Sequence, residues 1–132
     1  MCKYDILTTE YLIGGFAMCT QLELKKATDE LVKATVAISS DVYKIILFGS
    51  YARGENTEES DVDVMIILDC SPEEVKRRRK EFSKIASRIG LNHDLLFAVL
   101  LRAKDDFAAN LDNKPLYKNV LAEGVELYGR AA

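Results

Sequence analysis

The chain has no CxxC pair, a single histidine, no internal repeat and no low-complexity linker in its 132 residues. Its three cysteines, Cys2, Cys19 and Cys70, are odd in number and widely spaced, which argues against a disulfide framework or a cysteine-rich zinc site. A reduced, cytoplasmic protein is the expectation. A basic excess is missing as well: 18 Lys and Arg stand against 21 Asp and Glu, for a net charge of -3. Nucleic-acid binding as the main activity needs a surface that neutralises phosphates, so the composition argues against that class. No hydrophobic run is long enough for a membrane span, since the uncharged stretch Tyr11 to Leu22 falls short of the length required. Asp5 and Glu10 stand where a secretory leader would be basic, and Lys3 is the one basic residue upstream. Residues 1–20 are therefore expected to form an N-terminal arm or helix packed on the domain, with its role open.

What is present suits one domain with one core, since 48% of the residues are apolar. Leu24, Ala27, Leu31, Ala34 and Ile38 recur at helical spacing, which predicts an amphipathic helix over about 21–39. "VYKIILF", Val42 to Phe48, is β-branched-rich and ends at Gly49, as a buried strand does. Asp61 to Leu68 predicts a second strand. Ser71, Pro72 and Glu74 then make a helix start, with Ser71 as N-cap, Pro72 at the first helical position and Glu74 completing a capping box. Val75, Phe82, Ile85, Ala86 and Ile89 would line that helix's buried face, with Gly90 as its stop. Asn92 to Leu101 reads as a third strand, 103–111 and 115–123 as helices ended by Gly124, and "VELY" as a short last strand. Strands alternating with helices predict a small α/β (α+β) domain, a mixed sheet flanked by helices, over 21–132.

The stretch "LFGSYARGENTEESDVDVMIIL", Leu47 to Leu68, carries the chemistry. Residues two apart on a strand project to one face, so Asp61 and Asp63 point the same way and can share a divalent cation. Two carboxylates that close raise each other's pKa unless a cation or proton compensates. Mg²⁺ prefers hard oxygens and uses one or two carboxylates with phosphate oxygens and water. Gly49 permits a close backbone approach, and Ser50 offers a hydroxyl where a short helix can begin, with free N–H groups that favour an anion. Gly49 and Gly54 have P-loop spacing, but Glu55 and Asn56 stand where that motif needs Lys and Ser or Thr, so a P-loop is excluded.

Gly49-Ser50, ten residues, then Asp61-Val62-Asp63 resembles the signature of the DNA polymerase beta-like nucleotidyltransferases. The fuller string Phe48 to Leu68 is similar to their small stand-alone branch, the minimal nucleotidyltransferases, over about Val42 to Leu101 and loosely to "EGVELY". The resemblance implies the polymerase beta-like fold and a third carboxylate from a neighbouring strand, for which Asp94 is the candidate. It further implies that Asp61, Asp63 and Asp94 hold two Mg²⁺ ions and that Gly49 and Ser50 seat the outer phosphates of ATP. Arg53 would assist on the triphosphate by residue type and proximity. The acceptor hydroxyl it implies is a tyrosine of a helical HEPN-domain toxin, so that the enzyme acts as an antitoxin by transferring AMP.

Two other functions stay open: nucleotidyl transfer to a small hydroxylated molecule such as an aminoglycoside, and a non-catalytic module that neutralises a partner by contact. A chain this small would recognise its acceptor through a small groove, through self-association into a homo-oligomer, or through a separate partner. "KRRRK", Lys76 to Lys80, is read first as a solvated helix face and second as an RNA or partner contact. His93 is expected to be a packed or solvent-facing residue rather than a catalytic one.

Overall fold

The computed structural model describes residues 16–131, with side chains from 21 onward, so what the sequence suggests for residues 1–15 lies outside the described residues. The order is α1 (Phe16–Ile38), β1 (Val42–Phe48), α2 (Ser50–Arg53), β2 (Val62–Leu68), α3 (Pro72–Asn92), β3 (Phe97–Ala103), α4 (Lys104–Ala109), α5 (Pro115–Glu123) and β4 (Val125–Gly129). The four strands form one mixed sheet in the order β3-β2-β1-β4. β1 lies antiparallel to β2 and β4, whereas β2 and β3 are parallel and joined across α3. Among the described residues no helix is long and apolar enough to cross a membrane.

The sheet is apolar on both faces because helices cover both. Val62, Val64, Ile66 and Leu68 of β2 pack with Leu31 of α1 and with Val75, Phe82 and Ala86 of α3. The alternate residues Met65 and Ile67 pack with Phe107 of α4 and with Tyr117 and Val120 of α5. Period-two alternation thus feeds two cores. It also fixes the side on which Asp63 emerges: the α4/α5 face, one step before Met65.

Helix α3 starts as its sequence demands, with the Ser71 hydroxyl accepting the Glu74 amide at 3.2 Å and Pro72 at the first helical position. The Glu74 carboxylate turns instead to Arg77 and Arg78. Some boundaries differ from expectation. Helix α1 begins at Phe16, and its Ile38 is 42% exposed while Thr35 is buried, with its hydroxyl donating to the Leu31 carbonyl at 2.7 Å. Helix α3 runs through Gly90 to Asn92, and Gly90 serves a close approach: a β-carbon there would lie 2.4 Å from the Leu95 carbonyl oxygen. The Leu95 amide bonds the Gly90 carbonyl at 2.8 Å, folding residues 93–95 back as a turn, so β3 begins at Phe97 rather than at Asn92.

Candidate active site

The site is built where β1 ends and β2 begins. In the antiparallel register Phe48 faces Asp63, so the next residue, Gly49, leaves the sheet directly beside that carboxylate. A β-carbon on Gly49 would sit 2.2 Å from Oδ2 of Asp63, and Gly49 has φ +76°, a region that costs residues with a side chain. Both constraints require glycine. The chain then turns at once into α2, whose first amides, of Ser50, Tyr51 and Ala52, precede any intrahelical acceptor. The Arg53 amide is the first to find one, at the Gly49 carbonyl, 3.1 Å. Gly54, at φ +72°, closes α2.

Asp61 is exposed and lies just before β2, and Asp63 is half-buried one step inside it. Burial, with Asp61 second, pushes the Asp63 carboxyl above the usual carboxylate range, while Arg53 acts in the opposite direction. Tyr51, which the sequence reading passed over, packs partly against the core. Its hydroxyl is pushed up by burial and then by the charge of Asp61. The signal for Tyr51 was its place inside the Gly-Ser turn. Arg53 is brought alongside but is already engaged, at 2.6 Å by Glu55 and at 3.5 Å by Glu123 from the end of α5.

Asp94 lies on the loop between α3 and β3. It is exposed, in a turn with φ 55°, three residues before β3. The β3 residue level with Asp63 is Ala98, on the same face of the sheet. Among the described residues no three His, Cys, Asp or Glu side chains are gathered as a metal site. The donor set at the mouth of β2 is therefore two carboxylates, one partly desolvated and repelled by the other. That chemistry fits a single hard cation that takes its remaining ligands from phosphate oxygens and water. His93 packs away from this cluster, with Nδ1 2.9 Å from Glu23 and Nε2 2.9 Å from Glu30, both on α1.

A family model described as a nucleotidyltransferase domain matches residues 23–125. Two relatives from Methanocaldococcus jannaschii are both provisionally named protein adenylyltransferases. One is 38% identical over 84 residues, which is 63% of this chain and 83% of the relative. The other is 33% identical over 105 residues, 79% of this chain and 97% of the relative. Among solved structures, a provisionally named nucleotidyltransferase from Sulfolobus solfataricus aligns with 86% of this chain and 87% of its own at TM-score 0.58 and 19% identity. A toxin–antitoxin structure with AMP-PNP aligns with 78% and 73% at TM-score 0.50 and 20% identity. At such identities the two structures speak for the fold. With the matched span enclosing the Gly-Ser turn, both aspartates and the whole sheet up to the first residue of β4, the chain belongs to the nucleotidyltransferase domain family.

Proposed function

We propose that the protein is a Mg²⁺-dependent protein adenylyltransferase that moves AMP from ATP to a hydroxyl of a partner protein. The observation that carries this reading is the close approach of the Gly49 turn to Asp63: the Gly-Ser turn and a partly desolvated carboxylate are held against each other. The triphosphate would lie on the free amides after Gly49 and on the Ser50 hydroxyl. Asp61 and Asp63 would hold Mg²⁺, which when bound neutralises charge at the phosphates. Arg53 would exchange Glu55 or Glu123 for a phosphate oxygen. The acceptor oxygen bonds to the α-phosphorus, the bond from it to the oxygen bridging to the β-phosphate breaks, and pyrophosphate leaves with that oxygen while the hydroxyl proton passes to water. A second ion, with Asp94 beside the acceptor as the family resemblance implies, would take its protein ligand from the turn before β3, since Ala98 supplies none.

The names of the relatives favour a protein acceptor over an aminoglycoside, the neighbour in fold is a toxin–antitoxin structure, and with the family resemblance a HEPN-domain toxin is the first acceptor to try. Incubation with ATP, Mg²⁺ and such a protein is expected to add AMP-sized mass to a tyrosine of the partner. Loss of the increment in Asp61→Asn and Asp63→Asn would support the assignment, whereas undiminished labelling by those variants would overturn it. Full neutralisation of the partner by both variants, without any labelling, would favour the non-catalytic binding module.

A further inference from the structure

The basic run Lys76 to Lys80 divides into two sets with different surroundings. Arg77 pairs with Glu74, and Arg78 pairs with Glu74 and Asp41 at 3.3 Å and bonds the Ser39 hydroxyl. Lys76 and Arg79 have no carboxylate partner among the described residues, and with Pro72 they form one stripe of α3, three to four residues apart. That stripe faces a groove of about 520 Å³ whose floor is the consecutive run Val99 to Ala103 of β3. Strand side chains alternate between faces, so five consecutive residues can line one groove only if it runs along the strand's edge. Among the described residues β3 is indeed an edge strand. The second wall brings Lys114 and Asp106.

The charges of this groove are arranged for an anion. Asp106, the one acidic lining residue among the described residues, is already committed: its carboxylate accepts the Tyr117 hydroxyl at 3.2 Å and the Asn110 amide at 3.0 Å. The Tyr117 oxygen in turn accepts Nε of Arg102 at 3.0 Å, and a terminal nitrogen of Arg102 donates to the Leu101 carbonyl at 2.9 Å. The guanidinium is thereby held at the strand edge with donors to spare. Lys76, Arg79, Arg102 and Lys114 thus converge on a protein whose net charge is -3.

We infer that this groove binds an extended acidic segment of a partner protein, laid along the open edge of β3 with its carboxylates against Lys76, Arg79, Arg102 and Lys114. An edge strand offers backbone donors and acceptors to a peptide in extended form, while the flanking cations select for its acidic side chains. A single-stranded nucleic acid fits less well: among the described residues the lining has no aromatic ring for base stacking, and the overall charge opposes a dense polyanion. The groove starts one residue past Ala98, level with Asp63, and runs about 17 Å away from it at ~3.3 Å per residue. It is therefore a site separate from the nucleotide end, and the inference does not rest on adenylyl transfer.

The test is fluorescence anisotropy of a labelled short peptide of alternating glutamate and valine, titrated with the full chain. A lysine–valine peptide and an oligothymidylate of equal length serve as comparison probes. The acidic peptide is expected to bind, to weaken as salt rises, and to lose about tenfold or more in the double variant Lys76→Glu/Arg79→Glu at unchanged thermal midpoint. Amide hydrogen exchange at Val99 to Ala103 is expected to slow when the peptide is bound. The inference is overturned by failure of the acidic peptide to bind, by equal binding of the lysine peptide, or by tighter binding of the oligothymidylate. Unchanged affinity in the charge-reversed variant, or unchanged exchange along β3, would do the same.

Discussion

The mouths of β2 and β3 look alike in the sequence, each an aspartate leading into an apolar run, yet the fold treats them in opposite ways. Asp63 is held in the sheet against a glycine turn, partly desolvated, with its carboxyl pushed up by burial and by Asp61. Asp94 is exposed in a left-handed turn ahead of its strand, and the β3 position beside Asp63 goes to Ala98. The difference lies in register. β1 and β2 are aligned so that the Gly49 turn meets Asp63, whereas the fold-back at Gly90 delays β3 until Phe97.

The sharpest way to break this contrast is to neutralise each mouth in turn. Asp61→Asn or Asp63→Asn is expected to cut AMP transfer by about a thousandfold or more, because several kcal/mol of metal-borne charge stabilisation are lost. Asp94→Asn is expected to stay within about threefold if Asp94 acts as a turn residue, with the side-chain amide tolerating the same left-handed backbone. A thousandfold loss there would restore Asp94 as the third corner, and steady-state transfer rates on the same acceptor decide between the two.

Next in size is Gly49→Ala. Its β-carbon would fall on Oδ2 of Asp63 and its backbone would be strained by about 1–2 kcal/mol. Displacing the carboxylate by about an ångström is expected to cost roughly a hundredfold in turnover. Gly54→Ala separates the two effects, since Gly54 also has positive φ but a β-carbon there meets nothing within 4 Å. It should lower the melting temperature and spare most of the activity.

Smaller effects concern stability. A carboxyl whose folded pKa is raised costs stability once the pH exceeds its unfolded pKa, so Asp63→Asn should melt slightly higher than the parent at neutral pH and the same at acid pH. At the other mouth the sign reverses. The hydrogen bond to Glu23 chiefly, then that to Glu30, pushes the His93 pKa up against the effect of burial. The protonated ring thus stabilises the fold fully below the unfolded pKa of ~6.5, and this contribution disappears as the pH rises through the raised folded value. His93→Gln should abolish that part of the pH dependence in thermal melts.

Much of this was legible in local pattern: the β1 and β2 runs, the Ser71 cap, the Gly49-Ser50 turn, and Asp61 and Asp63 two apart. What was not legible depends on contacts far apart in sequence. Ala98 beside Asp63 is a matter of β2–β3 register, and Glu123 reaches Arg53 across 70 residues. Glu23 meets His93 over the same separation. Gly90 looks like a helix stop in sequence, but it is a close-packing glycine whose neighbour arrives from the turn beyond.

The central claim is that Asp61 and Asp63, against the Gly49 turn, form the metal–nucleotide site. Thermal melting with Mg²⁺ and a non-hydrolysable ATP analogue tests it most directly, because a ligand of the folded state raises the midpoint in proportion to its affinity. The expected result is a rise with the two ligands together that disappears in Asp63→Asn and persists in Asp94→Asn. An equal rise in Asp63→Asn, or none in the parent protein, would contradict it.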